Sequence, residues 1–411
     1  MNICIVTEIY LKGGINTFLV SLVNGWPNDD DRFTIHLNQE FPNPEDLLSK
    51  TTKNVDLVFY ENQSTRLTQK FAMKQNDKHF GHLSWSFMRI YFLLINYIFF
   101  PFYVLIDISK FKFSSYDRLL VVNGGHPGGL NCRSAILGWR FSGKRPLSVL
   151  SFHNYFSKQG LIRKILDFPI NFLLSRSIYV LASVSHSCLE SLGNQNPFRS
   201  VPKKVIHNGI SNPVIPTQMV NLKETSSSRY CIMLGTLEPR KGHKYVLLAF
   251  KHVTKKLPDV ELHMYGDGSM HDHKAITNEI NNLKLQNRAF LHSFRKDMTG
   301  LIYASDVVLV PSQSHESFGI TMIEAMSLGV PIVATNVGGI PEVLGTNIGF
   351  QLPEKAGIVC DKNDPIQFGN AILLVLGNRK MASEMGLAGR ERFAEKFTNI
   401  KMSQQYYSIL L

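Results

Sequence analysis

Residues 306–339 place a strand, a loop, a helix and a second strand in one short stretch. No other feature constrains the fold as much. Asp306-Val-Val-Leu-Val-Pro311 is an apolar run closed by proline and reads as a buried strand. The polar loop Ser-Gln-Ser-His-Glu-Ser follows. The spacing predicts a helix over 318–328 with Gly329 as its stop, then a strand over 330–335 closed by Gly338-Gly339. Such a sequence is a parallel crossover unit, so the expected fold class is α/β.

This apolar stretch keeps two carboxylates. Glu316 falls in the loop at the carboxyl end of the first strand, and Glu324 in the second turn of the helix. At about 100° per residue, Ser317, Thr321 and Glu324 share a narrow polar stripe. The helix N-terminus beside Glu316 offers free N–H groups and partial positive charge, a natural seat for phosphate. Open α/β sheets bind ligands at the carboxyl ends of their strands. A pair of exposed glutamates is ordinary by itself; the setting gives this pair weight.

The alternation runs along the whole chain. Asn2–Thr7, 118–122, 147–152 and Ile178–Ser183 read as strands, and Ile15, Phe18, Leu19, Leu22 and Val23 mark a helix by their spacing. Residues 205–228 turn polar, with Pro213, Pro216 and Ser226-Ser-Ser228, and read as a linker. Strands resume at Tyr230–Leu234, 260–265 and 288–291, with helices at 244–253, 298–304 and 404–411. A chain of 411 residues suggests two domains. The expected domains are 1–205 and 206–390, with a C-terminal helix in 391–411 returning toward the first.

Composition is globular, with 44% hydrophobic and 18% charged residues. Five scattered cysteines with no C-x-x-C pair argue against a zinc site or a disulfide framework and fit a reducing cytosol. The first residues lack a basic n-region and read as a strand, not a signal peptide. The net charge of +12 is concentrated in residues 1–215, which carry 23 Lys and Arg against 14 Asp and Glu. Such a field suits anionic lipid, nucleic acid or an acidic small molecule. Without a zinc finger or an RNP-like sequence, nucleic acid is not expected. The apolar segment 90–106 falls short of ~20 residues and is interrupted by Asn96 and Pro101. It reads as a buried helix, as a helix resting in the membrane interface, or, least consistently with the surrounding pattern, as a span.

Four further features fall at strand carboxyl ends. Lys12-Gly13-Gly14 lets backbone N–H groups approach an anion. Leu-Gly-Thr-Leu-Glu-Pro-Arg-Lys-Gly, residues 234–242, sets Arg240 and Lys241 before a helix, where a guanidinium and an ammonium suit a diphosphate. His153 ends a strand, and Gly266-Asp267-Gly268 is a tight turn. Asp29-Asp-Asp31 offers a superficial D-x-D and reads as surface.

Glu316-x7-Glu324, the 234–242 run, Gly-Asp-Gly, Val205-Ile-His-Asn-Gly209 and Val337-Gly-Gly-Ile-Pro-Glu-Val343 together resemble the family-4 retaining glycosyltransferases of the GT-B fold, glycosyl transferases group 1. The likeness is dense from about 205 to 345. It implies two facing Rossmann-like domains with a cleft between them, the donor mainly on the C-terminal one and the acceptor mainly on the N-terminal one. By that resemblance Glu316 contacts the transferred sugar, and Phe318, Gly319 and Ile320 lie against sugar and phosphates. Glu324 takes the ribose hydroxyls, and Arg240 and Lys241 hold the diphosphate. Gly13 and Gly14 close on the diphosphate, and His153 sits near sugar and acceptor.

The implied donor is a UDP- or GDP-linked sugar, with no metal and no cofactor. The implied reaction is front-face hexose transfer with retention to a lipid-linked or polysaccharide acceptor, as in lipopolysaccharide or capsule synthesis. That places the protein in the cytoplasm, peripheral on the anionic inner face of the membrane. Thr236 departs from the arginine of many relatives, and His207 from the usual proline. A sugar-nucleotide epimerase of the same architecture and a non-catalytic basic α/β binding module remain alternatives.

Overall fold

The computed structural model describes residues 1–10, 13–60, 97–123, 129–143, 148–156, 160–193, 197–215, 229–295, 298–345 and 356–411. The chain forms two compact units. The first comprises Met1–Val184, Cys188–Ile206 and Ser403–Leu411; the second comprises Ser185–Ser187 and His207–Met402. Residues 391–402 therefore belong to the second unit.

The first unit is built on strands β1 (Asn2–Thr7), β2 (Arg32–Asn38), β3 (Val55–Tyr60), β4 (Arg118–Asn123), β5 (Ser148–Phe152), β6 (Ile178–Ser183) and β7 (Lys203–Val205). They pair in parallel in the order β3-β2-β1-β4-β5-β6-β7. Ile3, Cys4, Ile5 and Val6 are fully buried, as a strand covered on both faces requires. Its helices are α1 (Gly14–Asn24), α2 (Pro44–Lys50), α3 (Phe100–Phe111), α4 (Leu130–Phe141) and α5 (Leu161–Ser175), and the short α6 (His186–Glu190) is divided between the two units. The crossovers carrying α3, α4 and α5 all run toward β7. Right-handed connections therefore set these three helices on one face of the sheet, opposite α1 and α2.

Two details depart from the sequence reading. The strands β2 and β3 fall where none was expected. Asp31, read as surface, is buried at the start of the chain. Its Oδ1 pairs with the Met1 amino group at 2.5 Å, and its Oδ2 accepts from Trp26 Nε1 at 2.8 Å. A carboxylate can be buried there because both oxygens are matched.

The segment 90–106 is described from residue 97 onward; 90–96 lie outside the described residues. Pro101 sits in the first turn of α3, where its missing N–H costs no helical bond. Phe100, Val104, Asp107 and Phe111 are buried, while Phe102, Leu105 and Ile106 are exposed. The described part is thus not a buried helix. Among the described residues no helix is long and apolar enough to cross a membrane.

The second unit has strands β8 (Tyr230–Leu234), β9 (Glu261–Tyr265), β10 (Ala289–His292), β11 (Val307–Val310), β12 (Ile332–Thr335) and β13 (Gly357–Cys360). They form a parallel sheet in the order β10-β9-β8-β11-β12-β13. Between and after them lie α7 (His243–Thr254), α8 (Met270–Asn282), α9 (Thr299–Ala304), α10 (Ile320–Ser327), α11 (Ile340–Leu344), α12 (Pro365–Gly377), α13 (Arg379–Lys396) and α14 (Asn399–Leu410). Val246, Phe250 and Val253 of α7 and Phe368, Ala371 and Ile372 of α12 face one core. Each fully buried large apolar side chain there contributes roughly 1.5–3 kcal/mol. All five cysteines are buried free thiols.

The final helix begins at Asn399, earlier than its apolar pattern suggests, and from Ser403 it is part of the first unit. There Ser403 Oγ donates to the Leu22 carbonyl at 2.8 Å, and the Tyr406 ring packs edge-on to Phe18 at 5.5 Å.

Candidate active site

In the second unit three loops leave the carboxyl ends of β8, β9 and β11, and they are laced together by backbone bonds. Gly235 N–H donates to the Tyr265 carbonyl at 3.0 Å and Leu237 N–H to the Asp267 carbonyl at 3.0 Å. Gln313 N–H donates to the Arg240 carbonyl at 2.7 Å. The glycines make this possible. A Cβ on Gly266 would overlap the Gly235 carbonyl, and one on Gly242 would overlap the Pro311 carbonyl. Gly242 is also held at φ +83, in the left-handed region.

Glu316 lies at the centre of this arrangement and is buried. Its Oε2 accepts from Lys241 Nζ at 2.7 Å and from Ser312 Oγ at 2.9 Å. Its backbone carbonyl accepts from Gly339 N–H at 2.8 Å. Burial pushes the carboxyl pKa up. The Lys241 ammonium, the Ser312 hydroxyl and the Arg240 charge outweigh it, and the net shift is downward. Glu316 is therefore an ionised carboxylate in a buried place.

The helix after it starts later than its pattern predicts, at Ile320. Gly319 is the reason: at φ +87 it holds the chain left-handed just before the first turn. Phe318 and Ser317 are outside the helix, so the expected stripe shrinks to Thr321 and Glu324. Phe318 is a core residue, ringed by His207 at 5.9 Å and Phe397 at 5.7 Å. Glu324 is half-buried, its carboxylate has no ion-pair or hydrogen-bond partner among the described residues, and desolvation alone raises its pKa to about 7.

Arg240 and Lys241 separate in role. The Arg240 guanidinium pairs with Glu238 next to it, while Lys241 crosses to Glu316. Among the described residues, Thr236 Oγ1 and both ring nitrogens of His243 are buried with no hydrogen-bond partner. Burial takes the His243 pKa down to about 4, so that ring is neutral. His207 replaces proline for a visible reason: its Nε2 bonds Glu342 Oε1 at 2.7 Å, and the His186 N–H donates to the same carboxylate.

The first unit carries its own cluster. His153 follows β5, and its Nε2 lies 3.0 Å from Ser151 Oγ, which in turn lies 2.6 Å from Tyr406 Oη. The Phe18 ring stands edge-on at 4.3 Å. Burial takes the His153 pKa down to about 3, so the imidazole is neutral at physiological pH. Gly13 precedes α1 with extended backbone, and no side chain caps that helix. A Cβ on Gly13 would meet nothing within 4 Å.

Three site residues escaped the sequence reading. Ser312, four positions before Glu316, holds the carboxylate. His315 has φ 54, an uncommon left-handed conformation for a non-glycine residue, in the same loop. Glu8, just past β1, is buried and accepts from Tyr10 Oη at 2.8 Å and from the Asn131 N–H at 2.9 Å. An acid placed directly after a strand end was the only available signal for it.

The comparisons with known proteins bear on this geometry. Residues 214–392 match the family model described as Glycosyl transferases group 1. The match falls within the second unit, which is similar to that family over those residues. N-acetyl-alpha-D-glucosaminyl L-malate synthase of Bacillus anthracis is 28% identical over 236 residues, 56% of this chain and 58% of that one. Alpha-1,3/1,6-mannosyltransferase ALG2 of Mus musculus is 26% identical over 240 residues, 55% of each chain. The chain thus spans about half the length of the curated relatives it matches. A glycosyltransferase structure from Rickettsia africae superposes with a TM-score of 0.74 at 17% identity, covering 100% of this chain and 97% of the other. The Anabaena HepE complex with UDP-glucose gives 0.70 at 18% identity, covering 100% and 99%. At that identity the likeness shows the fold: two Rossmann-like α/β domains, the GT-B architecture.

Proposed function

We propose that this glycosyltransferase moves a hexose, with retention and without a metal ion, from a UDP- or GDP-linked sugar to a lipid-linked or polysaccharide acceptor. Its place is cell-surface glycan synthesis in the cytoplasm, at the inner face of the membrane. The observation that carries the donor half is the asymmetry of the two carboxylates around one helix N-terminus. Glu316 is ionised and held by Lys241 and Ser312, and Glu324 is half-buried without a partner. A partnerless carboxylate there has open acceptor positions for ribose hydroxyls. The backbone of Phe318, Gly319 and Ile320 lies at the start of α10, where N–H groups suit phosphate.

The chemistry follows from charge. Cleavage of the sugar–phosphate bond leaves an anionic diphosphate, which Lys241, Arg240 and backbone N–H groups are suited to stabilise. Thr236 Oγ1, buried without a partner, adds a neutral donor where many relatives carry arginine. The sugar centre gains positive character, and the Glu316 carboxylate supports it. In the first unit a neutral His153 can exchange a hydrogen bond with an acceptor hydroxyl but cannot act as an imidazolium acid. Gly13 and Gly14 stand at the start of α1, where backbone N–H groups suit an anion. The curated relatives named as a glucosaminyl malate synthase and a mannosyltransferase support the reaction class.

The test is thermal stability against UDP-, GDP-, ADP- and dTDP-sugars. A ligand that binds the native state raises its Tm. One nucleotide series should stabilise the wild type, and Lys241→Ala should lose that shift. No shift from any series, with oligonucleotide binding in its place, would overturn the reading.

A further inference from the structure

Helices α3 and α5 are built inside out. On α5 the buried positions are Asp167, Ile170, Asn171 and Leu174, an i, i+3, i+4, i+7 set that a water-exposed helix normally fills with apolar residues. Two of these four are polar. The exposed surface of α5 instead carries Leu161, Ile162, Ile165, Phe168, Phe172 and Leu173. On α3 Asp107 is buried while Phe102, Leu105 and Ile106 are exposed. Leu161, Ile162, Ile165, Phe102 and Leu105 each keep between 60% and 76% of their surface exposed.

The polar groups pair with each other between the helices. Tyr97 Oη, just before α3, donates to Asp167 of α5 at 2.8 Å. Arg133 of α4 lies 3.7 Å from Asp167, and its guanidinium is 5.6 Å from the Phe100 ring of α3. Ser134 of α4 donates to Asp107. These contacts tie α3 and α5 to α4, and the Tyr97–Asp167 bond brings the start of α3 beside the middle of α5. A face of this kind on a soluble protein marks an interaction site.

Charge selects the occupant. From Tyr97 to Arg176 the sequence holds eleven Lys and Arg against three Asp. Two of those aspartates, Asp107 and Asp167, are buried, and Asp117 precedes β4 at the sheet. The exposed charges on α5 are Arg163 and Lys164, both cations, and the Arg176 guanidinium lies 3.7 Å over the Phe172 ring. An apolar centre with a cationic border and no exposed acid on either helix matches an anionic bilayer. Rings and branched chains enter the acyl boundary, and cations meet lipid phosphates.

We propose that the α3–α5 face is a membrane-docking surface, with both helices in the plane of an anionic bilayer and their apolar residues in the headgroup–acyl boundary. The proposal rests on the membrane half of the function above and is independent of its donor half.

Vesicle co-sedimentation of the full chain tests it, with phosphatidylcholine vesicles prepared with and without phosphatidylglycerol. The wild type should bind the phosphatidylglycerol vesicles and bind pure phosphatidylcholine more weakly. Ile162→Glu/Phe168→Glu should lose about tenfold in binding, and Lys164→Glu should lose the preference for anionic lipid. Met270→Glu, an equally exposed apolar site in the second unit, should bind as the wild type does. Each variant's Tm shift with nucleotide-sugar shows that it is folded and reads the donor half separately. Absent wild-type binding, or binding that survives Ile162→Glu/Phe168→Glu in the folded protein, overturns the proposal. A wild-type dimer that the double substitution splits, with no vesicle binding, also overturns it, in favour of a second copy.

Discussion

Lys241 and Glu316 lie 75 positions apart in sequence, yet Nζ and Oε2 are 2.7 Å from each other in the second unit. Lys241→Ala leaves a buried carboxylate without its ammonium partner, while the Ser312 hydroxyl still donates to it. The expected cost is about 2–3 kcal/mol in urea denaturation, and Lys241→Ala/Glu316→Gln should recover part of it. The pH sign follows from the lowered carboxyl pKa. The pair's contribution is full above the ordinary glutamate value near ~4.3 and fades as pH falls through the folded value. A single-mutant loss under ~0.5 kcal/mol would show that the two are not coupled.

Glu324 titrates in the opposite sense. Its folded pKa of about 7 lies above the ordinary one, so the folded state holds the proton more tightly. Its penalty on stability is absent at low pH, grows as pH rises from ~4.3 and is complete above the folded value. Glu324→Gln should therefore match the wild type near the low end of that window and be more stable by on the order of 2 kcal/mol above it. Denaturation curves at the two ends measure the difference, and equal curves would mean that solvent already satisfies the carboxylate.

For His153 the imidazole stays neutral down to a pKa of about 3. The unfolded chain takes up a proton near ~6.5 that the folded state refuses, so this residue's contribution to stability falls as pH drops below that value. Imidazole carbon shifts of His153 followed by NMR should show no titration across the neutral range. A midpoint near ~6.5 would place the ring in water.

Two glycines should respond oppositely to alanine. Gly242→Ala forces a side chain into the Pro311 carbonyl at a left-handed φ, and a loss of about 2 kcal/mol or more is expected. Gly13→Ala meets open space, so its Tm should stay within the scatter of surface substitutions, ~0.5 kcal/mol. Activity lost by Gly13→Ala at unchanged Tm would assign Gly13 to binding.

Much of the fold was legible because β1, β6 and β8 are short apolar runs between turn residues, and parallel strands buried on both faces read that way. β2 and β3 were not. β3, at the edge of the sheet, has exposed or half-buried residues at every position but the last, and β2 carries Arg, Thr, His and Asn among its seven residues. The loop around Glu316 was legible through its place between strand and helix. The Lys241 bond was not, since two loops distant in sequence meet only when the sheet forms. Helix 318–328 was drawn too long because apolar spacing carries no sign of a left-handed φ. The exposure of α3 was hidden for a related reason: an apolar run looks the same whether it faces a core or the outside.

The Tyr406–Ser151–His153 chain has a consequence for synthesis. Tyr406 is wholly buried in the first unit, and Arg118, at the start of β4, bonds the carbonyl of Leu410. An N-terminal domain usually matures while the ribosome is still adding the C-terminal residues. Here the sheet of the first unit can assemble early, but the surroundings of His153 stay unfinished until residues 403–411 have been made. A released chain cut before Ser403 would therefore hold every residue of the second unit, while the first unit would lack its last packing element.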